Sequence, residues 1–182
     1  MSVQPWIAPE VRFTSLDLSE GTEVRGFCLD VISEVFGLGY NEVWHADLDR
    51  LTQEHHQYTA DVGGAFLVTR DSEGEVLACG GLRPLMTRPD LAERFADRYP
   101  DPEVIGSIWR TYVAPWARSR GVGAHLVAQL EAEARRHGYR ATYLHTDAES
   151  PRSIAFWERQ GYGRFAIDLE SPATVHMDRP LA

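Results

Sequence analysis

The sequence predicts an α/β fold in which one mixed β-sheet carries helices on both faces. Runs rich in β-branched and aromatic residues, such as 104–113 and 141–147, predict strands. Apolar residues at helical spacing in 122–136 predict a helix between these two strands. Because strands and helices alternate, and because 182 residues suit one domain with a buried core, we expect a single domain over 1–182.

The N-terminal half begins with a predicted strand at 11–15. A helix follows, because apolar side chains recur on one stripe, namely Val24, Phe27, Cys28, Val31 and Val35. A second helix is predicted at 47–58. Residues 65–70 and 75–83 predict a hairpin with a glycine in its turn.

Residues 85–103 predict a helical insertion between the third and fourth strands, with a short helix at 88–99 that is closed by prolines. Long insertions in compact domains often have a function of their own. Two roles stay open at this level: a lid over the acceptor site, or a contact surface between two copies in a homodimer.

The C-terminal half predicts a regular alternation that ends in a hairpin. In chain order, its elements are a strand at 104–113, a helix at 122–136, a strand at 141–147, a helix that starts at Ser150, and a hairpin of 163–168 with 174–177. Ser150 followed by Pro151 is a favourable helix start, because serine caps the first N–H groups and proline fits the first turn.

The acidic composition excludes some functions more clearly than it identifies one. The formal net charge is −9. Such a surface repels phosphate backbones, so nucleic acid is a poor partner, and the same field favours a cationic acceptor such as an amine. Acidity can equally serve solubility alone. No segment has the pattern of a signal peptide or the apolar length of a membrane span, so we expect a cytoplasmic protein without a membrane partner.

A glycine-containing loop between a predicted strand and a predicted helix is the most informative motif. Its residues are Arg118, Ser119, Arg120, Gly121, Val122, Gly123 and Ala124. Free N–H groups at the helix start, together with the positive end of the helix dipole, form a site for an anion, and Arg118 and Arg120 add positive charge. The alternative is an ordinary connecting loop. A dinucleotide fingerprint would need a glycine at Leu126, and a phosphate-binding loop would need Gly-Lys-Ser/Thr, so both are excluded.

The wider context of this loop resembles the GNAT superfamily of N-acyltransferases. Arg118-x-x-Gly121-x-Gly123 follows Tyr112-Val-Ala-Pro115, and the segment 153–162 ends in a Gly-aromatic pair. These two motifs, in this order and with the strand 141–147 between them, are similar to the two landmarks of that superfamily. The resemblance implies a mostly antiparallel sheet that is splayed at an acyl-CoA site. It also implies acetyl-CoA as co-substrate and no metal.

The same resemblance implies a set of donor-binding residues. They are Tyr112, Val113, Arg118, Ser119, Arg120, Gly121, Val122, Gly123, Ala124, Ser150, Ser153 and Trp157, and the backbone N–H of Val113 would stabilise the oxyanion. The sequence departs from the superfamily pattern at three places. Ser107 stands where many members have a glutamate base, Trp157 where many have a tyrosine acid, and Ser150 where an asparagine is common. An indole N–H has no useful acidity, so Trp157 cannot supply that proton.

His145 is the titratable side chain that we nominate near the thioester, because it lies in the strand next to the splayed one. An imidazole that titrates near neutrality could relay a proton from the acceptor amine. The alternatives are a histidine that packs in the sheet, and deprotonation through water without an essential base. Strand alternation places Tyr112 on the opposite face from Trp109 and Val113, so core packing is its expected role.

On the acceptor side, Arg83 ends a strand and is expected to point to the cleft and hold a carboxylate, with Trp109 and Trp44 as walls. The alternative for each is an ordinary surface cation or core aromatic. Two functions follow. The first is N-acetylation of a small primary amine, such as an amino acid, an amine or an amine-bearing antibiotic. The second is a catalytically idle acyl-CoA-binding module with a sensing or assembly role.

Overall fold

The computed structural model describes residues 11–170 and 172–181 of the chain. Its seven strands form one sheet in the order β1-β2-β3-β4-β5-β7-β6. The strands are β1 Thr14–Ser15, β2 Ala65–Arg70, β3 Val76–Pro84, β4 Ile105–Val113, β5 Ala141–Asp147, β6 Gly163–Asp168 and β7 Thr174–Pro180. The helices are α1 Gly21–Phe36, α2 Pro89–Arg94, α3 Val122–Arg136 and α4 Pro151–Arg159. The predicted α/β class, with a mostly antiparallel sheet, is confirmed.

The sheet is antiparallel except between β4 and β5, which run parallel. These two strands pair only where Ile105–Ser107 meets Ala141–Tyr143. Beyond that point the strands diverge, and the gap between them is the splay that the resemblance implied. The second halves of both strands therefore have free edges that face each other.

A bulge in β4 changes which side chains share a face. Arg110 has φ 52°, and the register with β3 shifts between Cys79 and Gly81. As a result, Trp109 and Tyr112 both pack on the α1 side of the sheet, whereas Val113 packs on the α3 side. The predicted separation of Tyr112 from Trp109 is wrong, because simple alternation fails where an extra residue enters the strand.

Two neighbouring glycines in β3 let α3 approach one face of the sheet and Tyr58, in the turns after α1, approach the other. A Cβ on Gly80 would lie 2.9 Å from Leu130 Cδ1 in α3, and a Cβ on Gly81 would lie 2.5 Å from Tyr58 Cε1 on the other face. The core on the α3 side contains Leu126 and Leu130, both fully buried. The core on the α1 side is built from α1 and from the segment that follows it.

The predicted helix at 47–58 is wrong. The chain forms a series of turns there, with bonds from Leu48 N to the His45 carbonyl and from Leu51 N to the Leu48 carbonyl. Leu48 and Leu51 are both fully buried. Their three-residue spacing, which suggested a helix, places both side chains in the core through successive turns. The physical reason is an anchor from outside the segment: Asp47 is held by Arg110 of the β4 bulge.

The other predicted elements are found with small changes in their bounds. The predicted helix at 88–99 is α2 followed by turns, and only Thr14–Ser15 of the predicted strand at 11–15 pairs with β2. Ser150 caps α4 as expected, since its Oγ accepts from the N–H of Ser153 at 3.4 Å.

Among residues 11–170 and 172–181, no helix combines the length and the apolar character needed to cross a bilayer.

The segment between β3 and β4 packs on the sheet of its own chain. Phe95 lies edge-on to Phe165 and His176, with ring centroids 5.0 Å apart in each case. Arg94 pairs with Asp168 on β6. The insertion therefore covers the β5-β7-β6 part of the face on which α1 also lies.

Candidate active site

A cleft of about 640 Å³ opens where β4 and β5 diverge. Its walls are the C-terminal end of α1, the second halves of β4 and β5, the loop at 118–124, and α4. Most of the residues that the resemblance implied for the donor line it, namely Tyr112, Val113, Arg118, Ser119, Gly121, Gly123, Ala124, Ser150, Ser153 and Trp157. Two do not. Arg120 is outside this set, and the side chain of Val122 is buried in the core.

At the mouth of the cleft, the loop before α3 exposes backbone N–H groups that pair with none of the described residues. Ser119 has φ 62° and Gly121 has φ 82°, both in the left-handed region, so the chain turns sharply into the helix. The first helical bond runs from His125 N to the Gly121 carbonyl, and no side chain within residues 11–170 and 172–181 caps the helix. The N–H groups of residues 122–124 therefore have no partner within the helix. Together with the helix dipole they form a site for an anion.

Gly123 is needed for helix packing as much as for the loop. A Cβ there would lie 3.3 Å from Phe156 Cε2 and Cζ, and 3.6 Å from Val113 Cγ2. Its missing side chain thus lets α3 approach α4 and the end of β4. The sequence analysis did not assign this packing role to Gly123.

Val113 directs its backbone toward the splay. Ala114 N donates to the Leu77 carbonyl at 2.9 Å, so Ala114 and Leu77 form a hydrogen-bonded pair. Since such pairs alternate along an antiparallel ladder, the next pair, Val113 and Ala78, is not hydrogen-bonded. The N–H and C=O of Val113 therefore point away from β3. The carbonyl of Val113 accepts from Nε of Arg118 at 3.1 Å. The N–H of Val113 faces the side where β5 has moved away.

Trp157 is a buried packing residue at the wall of the cleft. Its side chain is 8 % exposed, and its ring meets those of Phe156 and Tyr162 with centroids 5.1 and 5.2 Å apart.

Ser107 is fully buried, and its Oγ accepts from the indole N–H of Trp109 at 2.5 Å. The serine at the place of the superfamily glutamate therefore orients Trp109.

A buried ion pair joins the β4 bulge to the segment that follows α1. Arg110 binds both oxygens of Asp47, at 2.6 and 2.9 Å, and Tyr58 donates to the same carboxylate at 2.6 Å. Burial raises the pKa of Asp47, but the hydrogen bonds and charge of Arg110 outweigh it, so the pKa lies below its usual value. Arg110 also donates to the backbone carbonyl of Trp44. The side chain of Trp44 is 52 % exposed and is not part of the cleft wall, which corrects its predicted role.

Arg83 lies beneath Trp109 and does not line the cleft as expected. Its guanidinium stacks on the Trp109 ring at 3.7 Å, and the residue is 6 % exposed. Nε of Arg83 is buried without a hydrogen-bond partner, and within the described part of the chain no hydrogen bond or ion pair engages this side chain. Trp109 does line the cleft, and its ring stands between the cleft and the guanidinium of Arg83.

His145 lines the cleft at the free edge of β5. Its ring meets that of Trp109 edge-on, with centroids 4.6 Å apart. Burial, followed by the charges of His176 and Arg88, lowers its pKa to about 3. The expected titration near neutrality is therefore corrected, and this ring is neutral at ordinary pH.

Sequence reasoning missed two residues behind His145. Tyr143 is two positions earlier on the same face of β5, and His176 lies directly opposite His145 on β7. Alternation along β5 could have suggested Tyr143. The partner from β7 could not be assigned, because the register between two strands depends on the whole hairpin.

The fold and the site define the class of acyl-CoA-dependent transferases. They combine two diverging parallel strands, an uncapped helix start at the mouth of the cleft, and a free backbone N–H at the strand end. The chain matches the family model described as acetyltransferase (GNAT) family over residues 29–162. It therefore belongs to this family, whose members carry out acyl-CoA-dependent N-acetylation.

Known proteins agree with this assignment. The chain is 30% identical over 152 residues to the uncharacterized N-acetyltransferase YjgM of Escherichia coli, covering 81% of this chain and 78% of that protein. A GNAT-family acetyltransferase structure from Staphylococcus aureus superposes with TM-score 0.74 at 16% identity, over 94% of this chain and 99% of the other. The PaiA N-acetyltransferase of Thermoplasma acidophilum, a structure in complex with coenzyme A, gives TM-score 0.70 at 11% identity, over 94% and 99%. Both structures show a shared fold.

Proposed function

We propose that the protein transfers an acetyl group from acetyl-CoA to a primary amine of a small molecule, by direct attack of the amine on the thioester. The observation that carries this proposal is the uncapped start of α3 at the mouth of a cleft, with the N–H of Val113 inside it. Family membership supports the reaction class.

The residues present fit acetyl-CoA. The free N–H groups of residues 122–124 suit its pyrophosphate, and Arg118 and Arg120 supply positive charge around them. The gap between β4 and β5 suits the extended pantetheine arm, which can continue the broken ladder of backbone hydrogen bonds. Ser150, Ser153 and Trp157 of α4 form the opposite wall.

The chemistry depends mainly on position and on backbone polarity. Holding the amine against the thioester removes most of the entropic cost of the reaction. The N–H of Val113 is placed to stabilise the oxyanion without any particular side chain. Trp157 packs and has no proton to give, so α4 supplies no acid for the thiolate.

Charge on the acceptor side favours an amine that also carries one negative group. Arg110 is neutralised by Asp47, and Arg88 is paired with Asp90. Arg83 is left as a buried cation beside Trp109, without an ion-pair partner among the described residues. Trp109 separates Arg83 from the cleft. The positive charge of Arg83 would therefore favour a carboxylate on the acceptor, as in an amino acid, without a direct hydrogen bond.

Thiol release from acetyl-CoA, measured across a panel of amino acids, simple amines and amine-bearing antibiotics, tests the proposal. We expect release that depends on the amine and acetylated amine as product. Binding of coenzyme A by calorimetry without release for any amine would contradict it and favour the idle acyl-CoA-binding module.

A further inference from the structure

Four side chains form a continuous chain of hydrogen bonds that runs from the cleft across β5 and β7 to β6. The Oη atom of Tyr143 lies 3.5 Å from Nδ1 of His145 and 2.7 Å from Nδ1 of His176. Nε2 of His176 lies 3.0 Å from Oδ2 of Asp168, which Arg94 also binds. Tyr143 is fully buried and His176 is 3 % exposed, so water does not compete inside the chain.

The carboxylate at one end dictates the direction of every bond. Hydrogen bonds from Arg94 and His176 hold the pKa of Asp168 well below its usual range, so Asp168 is ionised and can only accept. Burial lowers the pKa of His176, which is therefore neutral and donates from Nε2. Its Nδ1 must then accept the single hydrogen of Tyr143.

The same logic fixes the proton on His145. Because the hydrogen of Tyr143 is used toward His176, Oη can only accept from His145, which must carry its proton on Nδ1. Nε2 of His145 is left with a free lone pair, on the residue that lines the cleft. The distance of 3.5 Å is the longest link, and catalytic hydrogen bonds commonly shorten when substrate binds.

We propose, on the basis of the proposed acetyl transfer, that His145, Tyr143, His176 and Asp168 are a proton relay for the acceptor amine. Nε2 of His145 takes the proton as the N–H bond of the ammonium breaks. The Nδ1 proton of His145 passes to Oη of Tyr143, while the phenolic hydrogen passes to Nδ1 of His176. The positive charge ends on the His176 imidazolium beside the Asp168 carboxylate, which stays ionised. The reverse movement returns this proton through His145 to the leaving thiolate, and the second proton that the amine nitrogen loses as the amide forms passes to water.

The relay solves an electrostatic problem that His145 alone cannot. Its ring is partly buried at the cleft wall and is faced by His176, Arg88, Arg83 and Arg110, so a positive charge on it is disfavoured. In the relay this ring only changes tautomer and stays neutral. The charge appears instead on His176, which is faced by Asp168 and more weakly by Arg94.

The first experiment reads the tautomers without any turnover. Ring-nitrogen NMR of the isotope-labelled protein, with signals assigned through His145→Gln and His176→Gln, is expected to show the Nδ1–H tautomer at His145 and the Nε2–H tautomer at His176. An Nε2–H tautomer at His145 would overturn the relay, whether or not any amine is acetylated.

The second experiment compares Tyr143→Phe with the matched control Tyr99→Phe. Tyr99 is also a buried tyrosine of this face and also donates to an aspartate, Asp178 at 2.7 Å, but it is outside the chain. Each variant is assayed with aliphatic amines, which are protonated at neutral pH, and with weakly basic alkoxyamines, which are not.

For Tyr143→Phe we expect kcat with aliphatic amines to fall about a hundredfold, with the KM for acetyl-CoA unchanged. The loss should be small with alkoxyamines and should shrink as the pH rises toward the pKa of the amine, since a neutral amine has no ammonium proton to lose before attack. If Tyr143→Phe loses kcat equally with both amine classes, or if Tyr143→Phe and Tyr99→Phe lose kcat equally, the relay is overturned while the proposed acetyl transfer stands. Absence of thiol release with every amine would overturn the proposed function and, with it, the role of the relay.

Discussion

Nε of Arg118 donates a hydrogen bond to the carbonyl oxygen of Val113 at 3.1 Å. This bond joins the start of the loop that faces the anion site to the strand end that offers its N–H to the cleft. The arginine therefore ties together the two parts of the proposed donor site.

Arg118→Gln is expected to lower kcat/KM for acetyl-CoA by about tenfold, because a hydrogen bond from a charged group contributes about 1.5–3 kcal/mol. Arg120→Gln is the matched control. Arg120 does not line the cleft, so this change removes the same charge without that bond. Steady-state kinetics at two salt concentrations check the difference. Equal losses in both variants would show that only net charge matters.

Gly123→Val should abolish binding of coenzyme A. The added branches would strike the Phe156 ring and push α3 away from α4, which displaces the N–H groups at the helix start. Gly121→Val should act similarly, since φ 82° is strained for a branched residue. Gly26→Ala, in α1 with no atom near the added Cβ, is the control. Calorimetry that finds unchanged affinity in a folded Gly123→Val protein would rule out this donor site.

Trp157→Phe should keep most of the activity, because the side chain packs against Phe156 and Tyr162 and donates no proton. Trp157→Tyr should raise turnover if its phenol reaches the thiolate. Both variants are compared with the parent by kcat at equal melting temperature. A large loss in Trp157→Phe, with stability and donor affinity unchanged, would contradict the packing role.

Arg83→Gln should weaken any preference for acceptors with a carboxylate, because it removes a positive charge behind the Trp109 wall of the cleft. Matched pairs of an amino acid and its carboxamide measure that preference as a ratio of kcat/KM values. Arg164→Gln, which breaks an exposed pair with Glu158, is the control and should leave the ratio unchanged. A ratio that survives in Arg83→Gln would place the carboxylate elsewhere.

Asp47→Asn should lower the free energy of unfolding by about 3–5 kcal/mol, because it leaves Arg110 buried and without its charged partner. The pKa of Asp47 is lowered in the folded state, so this stabilisation is fully present above the unfolded pKa. It is lost as the pH falls through the folded-state value.

Denaturant unfolding over the acid range should therefore show a steeper decline for the parent than for Asp47→Asn. Asp90→Asn, which breaks a more exposed pair with Arg88, should change stability by less than about 1 kcal/mol. If the free energy of unfolding falls equally steeply with decreasing pH in the parent and in Asp47→Asn, the assigned pKa shift of Asp47 is contradicted.

Local patterns predicted most of the fold. The stripe from Val24 to Val35, the hairpin around Gly74 and the helix after Gly121 each depend on contacts close in sequence, and the structure confirms all three. The segment 47–58 was predicted wrongly because its conformation depends on Arg110, far along the chain.

The sequence by itself determined the fold class, the glycine-containing loop before α3, and the family, because these depend on the order of strands, glycines and helices. Only the tertiary structure decided which side chains meet. The β4 bulge brings Trp109 and Tyr112 to one face, the β5–β7 register sets His145 opposite His176, and packing buries Arg83 beneath Trp109. The physical reason is that side-chain chemistry at a site depends on register and burial between distant strands, which one strand's own residues do not specify.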